Sequence, residues 1–419
     1  MDTAGMRIMP GLKYKNLPDT KWSRLLRWQA GETPGPWEMS IYITNRCNLK
    51  CVMCWERWAE KEFGMGIYDK KFEVDDERLL LLVDESAELG VREWTVMGAG
   101  EVMVRGKTAM AMCRRIKELG MFGILHTNAT LFKERHFEEL VDIGWDRIKV
   151  SLDGADIGVN DAMRSRGAFN RTMECLRALK SVRDRRGVAY PELTVHPVMS
   201  NLNFDKLDQI VALAHSFGAS TVGFSHLIGD FDGVHELELN AEQRAALPEH
   251  LRRAKERADA LGVVTNADFY LRAEQGNPPP RPTNQPESIL NSTCYEAWLS
   301  LFILVDGKAG PCCVFYDEHA ENIRDKTLKE IWTGPYMQHA REVLGAGKEL
   351  HYCKDCPSYI PGLMEQVAYK YRTEYNPLRH VATHSLARRL LGRTVSSLRE
   401  QGVKQTLARA REWVQLRTR

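Results

Sequence analysis

The chain has 419 residues, 43% of them hydrophobic and 27% charged, with a formal net charge of +2. That is the profile of a globular protein with room for two or three domains, and so balanced a charge argues against a nucleic-acid binder. No apolar run is long enough to cross a bilayer and the N-terminus lacks the apolar core of a signal peptide, so the expected compartment is the cytoplasm.

In chain order, residues 1–38 are polar and Pro-rich and read as an irregular lead-in. From residue 39 strand and helix patterns alternate. Strands are predicted at 39–45, 92–98, 121–128, 145–154, 192–200 and 219–229, and helices at 76–90, 106–120, 133–144, 169–187, 204–218 and 241–261. Strands each followed by a helix build a parallel sheet through right-handed crossovers. Six such units fall short of the eight of a closed barrel, so the expected fold is α/β, an open partial (β/α)6 TIM-like barrel over 39–275. Sites in such folds lie in the loops beyond the strand C-termini.

GNPPPRPTNQP (276–286) marks a domain boundary. After it, WLSLFILVDGKAGPCCVFY (298–316) predicts a hairpin turning at Asp306-Gly307. LKEIWTGPYMQHAREVL predicts a helical stretch leading to CKDC (353–356), giving a hairpin-plus-helix domain over 287–366. The tail, 367–419, is basic, with Leu386, Leu390, Leu391, Val395 and Leu398 at helical spacing. It reads as an amphipathic helix packed on the domain with a solvated basic face, or as a contact for an anionic membrane surface or a partner protein.

Eight of the ten cysteines are grouped: Cys47, Cys51 and Cys54, then Cys294, Cys312, Cys313, Cys353 and Cys356. In a reducing compartment such grouping points to metal or cluster binding rather than disulfides. Cys113 and Cys175 stand alone on predicted outer helices and read as buried, inert thiols. Structural zinc needs four ligands, whereas C-x3-C-x2-C supplies three. An iron–sulfur cluster held by three thiolates leaves one iron open to a cosubstrate; the alternative is zinc completed by a distant residue. The second group brings together Cys294, the C-x4 position after Gly307, and a C-x2-C pair, a four-thiolate set that suits zinc or a 4Fe–4S cluster.

C-x3-C-x2-C after the first strand of a partial barrel resembles the radical SAM superfamily. The resemblance covers about residues 39–230. It implies a 4Fe–4S cluster on Cys47, Cys51 and Cys54 whose open iron is chelated by S-adenosyl-L-methionine, with a 5′-deoxyadenosyl radical as the hydrogen-abstracting product. The residue before the last cysteine, usually aromatic in the family, is Met53 here. VMGAGEVMV (96–104) resembles the family's GGEP motif: Gly98, Gly100 and Glu101 match, Ala99 and Val102 depart. The glycines would let backbone approach the methionine moiety, and Glu101 would accept from its ammonium group. HTNAT (126–130), with Asn128, resembles the TNG segment. SLDG (151–154) resembles the ribose- and carboxylate-binding segment, with Ser151 a hydroxyl donor, Asp153 an acceptor and Arg164 a carboxylate partner. Singly, each of these segments is equally a turn or helix cap.

The second group resembles the SPASM/twitch extension of the same superfamily. No cysteine follows Cys356, which fits the single-cluster twitch type. The resemblance implies an auxiliary, electron-carrying 4Fe–4S cluster on Cys294, Cys312, Cys353 and Cys356, with Cys313 the spare thiol; the exchange of Cys312 and Cys313 stays open. The implied partners are a low-potential electron donor such as flavodoxin or ferredoxin and a small-molecule substrate, with no nucleic acid. A lead-in too short for a peptide-recognition domain favours an oxidoreductase that dehydrogenates or epimerises a hydroxylated carbon of a small, carbohydrate-like substrate. The rival readings are a peptide or protein maturase and a non-catalytic iron–sulfur or zinc protein. Strand alternation turns Lys149 and His126 into the barrel if Asn128 and Ser151 face inward. Lys149, His126 and the Cys313 thiol are then candidates for proton or hydrogen transfer, with His196 and His226 behind them; the bland alternative for each imidazole or amine is a satisfied polar core residue.

Overall fold

A computed structural model describes residues 19–54, 70–274, 289, 292, 294–315 and 317–356. The start of the lead-in, the Pro-rich connector and the basic tail, with the expectations placed on them, lie outside the described residues. The six expected strands form: β1 (Glu38–Tyr42), β2 (Glu93–Met97), β3 (Phe122–Thr127), β4 (Arg147–Val150), β5 (Glu192–Val195) and β6 (Ala219–Val222). They lie parallel in sequence order in an open partial barrel, and a two-residue β7 (Val264–Thr265) extends the sheet past β6.

At the opposite edge the structure adds a connection that the sequence pattern does not predict. β8 (Ser300–Ile303) pairs parallel with β1, placing Met39 opposite Leu301 and Ile41 opposite Ile303. β9 (Ala309–Gly310) then folds back antiparallel on β8. The C-terminal hairpin therefore continues the barrel sheet. β8 covers an edge of β1 that would otherwise expose a row of unpaired backbone groups. The turn between β8 and β9 holds Gly307 at φ +91, and a Cβ there would stand 2.5 Å from the Asn322 side-chain oxygen.

The predicted barrel helices form, and the structure adds others, among them Ile157–Met163 and Lys21–Gln29, the latter capped by Thr20 inside the lead-in expected to be irregular. Asp75 caps Asp76–Glu88 by accepting from the Arg78 N–H at 2.8 Å, and Asn240 with Gln243 forms a capping box on Ala241–Leu261. The helical stretch predicted before CKDC is two helices, Leu328–Trp332 and Pro335–Gly345. Pro335 opens the second helix, where its missing N–H is no loss, and so ends the first.

The sheet's two faces differ sharply. Met39, Ile41, Trp94, Val96, Leu125, Ile148, Val150, Leu193 and Val195 alternate onto the helix-covered face and are buried. Their neighbours Glu38, Ser40 and Tyr42 on β1, Glu93, Thr95 and Met97 on β2, and Arg147 and Lys149 on β4 face the lumen and keep accessible surface. Cys113 and Cys175 are buried among apolar side chains. Among the described residues no helix is long and apolar enough to cross a membrane.

Gly123 shows how tightly the outer layer is packed. A Cβ there would lie 2.2 Å from the ring of Trp145, a fully buried residue. Gly123→Ala is expected to lower the unfolding free energy by about 1–3 kcal/mol, measured by urea denaturation.

Candidate functional site

The loop after β1 carries the first three cysteines and is seated mainly by backbone contacts. The Gly100 N–H donates to the Thr44 carbonyl (3.1 Å) and the Glu101 N–H to the Arg46 carbonyl (2.9 Å). A Cβ on Gly100 would stand 2.1 Å from the Arg46 carbonyl oxygen, so only glycine lets the β2 loop come this close. Further along, the Val52 N–H donates to the Met163 carbonyl (2.9 Å) and the Lys50 N–H to Ser165 Oγ (2.8 Å). Cys47, Cys51 and Cys54 are half-buried there. Cys47 Sγ accepts from the Leu49 N–H at 3.4 Å and lies 3.9 Å from Asn128 Nδ2. Burial pushes the Cys47 thiol up, and the charges of Cys51 and Glu101 add to it, against the Leu49 hydrogen bond.

Two acidic residues expected to meet a cosubstrate have other work. Glu101 is 1% exposed. Its carboxylate accepts from Thr127 Oγ1 (2.6 Å), the Asn128 N–H (2.7 Å) and the Met103 N–H (3.1 Å). Burial pushes its pKa up, and these bonds oppose the rise. Glu101 thus braces the β2 and β3 loops rather than offering an open acceptor. Asp153 is fully buried: Oδ1 accepts from the Val198 N–H (2.8 Å) and Oδ2 meets Arg164 Nε at 2.6 Å. It fixes the guanidinium rather than reaching a ribose. Burial works against the Arg164 charge, but Asp153 and the thiols of Cys51 and Cys54 hold its pKa above the usual value. Arg164 therefore sits beside the first cysteine group, and its terminal nitrogens carry no hydrogen bond among the described residues.

Asn128 ties the β3 loop to the cysteine loop, donating to Asn48 Oδ1 (3.1 Å) while its own Oδ1 accepts from the Thr130 N–H (2.9 Å). Beside it, Ala129 takes φ +64, the left-handed conformation that the TNG pattern gives to glycine. Gly98 lies against Thr44, where a Cβ would stand 3.1 Å from its methyl group. Ser151 Oγ lies 3.3 Å from His126 Nε2, and His196 Nε2 lies 3.1 Å from Ser225 Oγ. The two imidazoles meet edge to face at 6.0 Å. Burial, then the charge of Lys149, holds both below the ordinary histidine value, His196 at about 3. His226 is also lowered by burial and meets Tyr270 edge to face. Asn48, Asn160 and Asn203 are functional supports that the motif reading misses; the last two hold the Asp153 backbone at 3.0 and 2.7 Å. Their signal in the sequence is only a polar residue in a loop.

The second group also converges. Cys294 is pushed well above the usual thiol value by burial, with Glu296, Cys356 and Cys353 adding to it. Cys312 is raised by burial, then by Cys313, Cys294 and Cys356. Burial, Cys356 and Glu296 push Cys313 up to about 12, while Lys149 opposes them. The thiols thus sense one another across the hairpin and the short helix His351–Asp355. Cys313 keeps accessible surface although deep in the protein, and so faces internal space on the Lys149 side.

Among the described residues no three of these side chains already close round a single metal ion. A 4Fe–4S cluster spreads its thiolates over its own corners, so the fit is judged on donors and placement. Three thiols on a loop at the strand C-termini beside a buried guanidinium fit a cluster with an open iron. Four or five converging thiols, whose thiolates would repel one another without a metal between them, fit a fully ligated one, since binding displaces their protons.

Residues 41–224 match the model of the radical SAM superfamily and residues 294–357 that of an iron–sulfur cluster-binding domain, SPASM. The chain is 28% identical over 314 residues to a PqqA peptide cyclase of Ruegeria pomeroyi, covering 71% of this chain and 74% of that one. It is 26% identical over 325 residues to the PqqA peptide cyclase of Granulibacter bethesdensis, 73% and 76% of the two chains. The crystal structure of Streptococcus suis SuiB bound to precursor peptide SuiA superposes with a TM-score of 0.59 at 16% identity, over 84% of this chain and 77% of that one. That likeness is one of fold. The cyclases overturn the expected oxidoreductase acting on a small carbohydrate-like molecule: the enzymes that this chain resembles along most of its length act, by name, on a peptide.

Two outcomes follow from this geometry. Ala129→Gly relieves a left-handed alanine and is expected to raise the unfolding free energy by about 1 kcal/mol in chemical denaturation. His126 and His196 stay neutral when folded, so below about pH 6.5 the unfolded chain binds protons that the native state does not. Stability therefore falls as pH drops from about 6.5, by up to about 1.4 kcal/mol per pH unit for each imidazole. His196→Asn is expected to flatten that slope in denaturation curves recorded at successive pH values.

Proposed function

The chain belongs to the radical SAM superfamily and carries an iron–sulfur cluster-binding domain behind its barrel, and on that footing we propose that it is a peptide maturase. Its cofactors are a 4Fe–4S cluster, S-adenosylmethionine and auxiliary iron–sulfur. The observation that carries the peptide reading is the similarity to PqqA peptide cyclases over more than 70% of both chains. The open lumen, with polar side chains on β1, β2 and β4 and apolar ones on β3 and β8, supports it, because a peptide segment needs an entrance and hydrogen-bonding groups along its path.

When bound, the SAM cluster and its cosubstrate supply hydrogen abstraction from an unactivated carbon. Cys47, Cys51 and Cys54 would hold that cluster. Arg164, fixed by Asp153, would take the methionine carboxylate with its two terminal nitrogens. Gly98 and Gly100 bring backbone close to the same place, and Ser151 and Asn128 border it. Glu101 and Asp153 act as positioning residues. Cys294, Cys312, Cys353 and Cys356 would hold one auxiliary cluster, with Cys313 left as a thiol facing the lumen. His126, held neutral beside Ser151, would be a hydrogen-bonding contact for the substrate. A low-potential protein such as flavodoxin or ferredoxin would deliver the electron.

The test uses anaerobically reconstituted enzyme, S-adenosylmethionine, reduced flavodoxin, and either a peptide encoded beside the gene or a panel of sugars. We expect 5′-deoxyadenosine release stimulated by the peptide, a changed peptide mass by mass spectrometry, and unaltered sugars. The Cys47→Ala, Cys51→Ala, Cys54→Ala triple variant is expected to lose more than about 1,000-fold in turnover, as the loss of an essential group does. Sugar oxidation with an untouched peptide would sink the proposal.

A further inference from the structure

Most of the charges along the inner wall of the barrel are paired. Lys21 bonds Glu38, Arg147 bonds Glu192 at 2.9 Å, and Arg164 meets Asp153 at 2.6 Å. Lys149 differs. Among the described residues its ammonium has no hydrogen bond and no ion pair. Glu93, Cys313 and Glu38 act on it through space without touching it.

Its place is central. In cross-strand register Lys149 lies between His126 of β3 and Thr194 of β5. Ser151, two residues further along the chain, lies one step nearer the mouth on the same face. The side chain is deep in the protein yet keeps accessible surface, so its head faces lumen space and not bulk solvent. Burial lowers its pKa, and Arg147 lowers it further. Glu93 favours the Lys149 charge through space but makes no contact with it, and burial pushes the Glu93 carboxyl itself up.

A cation held away from bulk water without a partner costs free energy, and an apolar side chain of the same length would cost none. Lysines near a surface escape the cost by reaching outward along their stems. Lys149 starts from the middle of a sheet and has only the lumen to reach into. A counter-charge carried by the substrate removes the cost at the moment of binding.

We propose that Lys149 anchors the substrate, its ammonium taking a carboxylate of the peptide that enters the lumen, either an acidic side chain or the C-terminal carboxylate. The carrier of that carboxylate rests on the peptide reading above; the anion subsite does not. A peptide held there would lie between the mouth, where the first cysteine group and Arg164 sit, and the hairpin side, where Cys313 senses the same lysine.

The test is a binding titration of the full-length, cluster-reconstituted protein without S-adenosylmethionine. The probes are N-acetyl-glutamate N-methylamide, N-acetyl-alanine, and the neutral N-acetyl-glutamine N-methylamide. Binding is followed by NMR on 13Cε-labelled lysine, the Lys149 signal being assigned by its loss in Lys149→Arg. We expect at least one carboxylate to bind about 10-fold more tightly than the neutral amide, equivalent to ~1.4 kcal/mol, and to shift the Lys149 signal. Lys149→Met should abolish the preference and Lys149→Arg should keep it. Stronger binding of the glutamate probe assigns a side-chain carboxylate, and of N-acetyl-alanine a chain terminus. Equal binding of charged and neutral probes, or a preference that survives Lys149→Met, overturns the proposal. If Lys149→Met does not fold, the wild-type preference and the Lys149 shift decide. Carboxylate binding without peptide turnover would refute the maturase reading and leave the subsite standing; peptide turnover with indifferent probe binding would do the reverse.

Discussion

The site depends on a contact between two backbones. The Arg46 carbonyl lies where a Cβ of residue 100 would be, and two N–H groups of the β2 loop donate into the cysteine loop beside it. This fixes the height of Cys47 above the sheet through the backbone alone. Any side chain at Gly100 would lift one loop off the other and move the cysteines with it. Glu101, the next residue, then carries the constraint sideways to β3 through Thr127 and Asn128, and Asn128 returns it to the cysteine loop through Asn48.

Buried charge is used here for placement. Glu101 is surrounded by donors, and Asp153 has one backbone donor and the Arg164 guanidinium beside it, as a carboxyl taken out of water needs. Their motifs pointed toward a cosubstrate, and the structure turns both back into the protein. What reaches outward is one step further along: the terminal nitrogens of Arg164, held by Asp153, and the hydroxyl of Ser151 beside His126. A charge anchored in this way keeps its orientation when a ligand leaves, which favours rebinding without side-chain reordering.

The sheet explains why one barrel can hold two cysteine groups. A closed barrel fills its interior with side chains. Here the curve stays open, and the period of two sends every apolar residue of β1, β2 and β4 outward to the helices except Tyr42 and Met97. The lumen wall of these three strands is mainly polar, and Phe122 and Ile124 of β3 and Phe302 of β8 add apolar surface to it. Because β8 pairs with β1, the second cysteine group lies on the far side of that wall from the β4 strand, close enough for Lys149 and Cys313 to sense each other.

The sequence by itself determined the order and hand of the βα units, the openness of the barrel, the family and which cysteines fall into two groups. These follow from local periodicity and from short spacings, which survive translation into three dimensions because strand and helix repeats are fixed. The motif residues were found as well: Gly98, Gly100, Asn128, Ser151 and Arg164 do gather at the strand C-termini. Their division of labour was not legible, since a carboxylate in a loop looks the same whether its partner is a ligand or a backbone N–H. Nor did the spacing before Pro335 reveal two helices in place of one, or the hairpin its union with β1. The substrate class was misjudged from a short lead-in, because length carries no chemistry. Only the tertiary structure decided that Glu101 and Asp153 are braces and that Lys149 has no partner among the described residues, because pairing depends on which strands lie side by side, and that is a property of long-range contact.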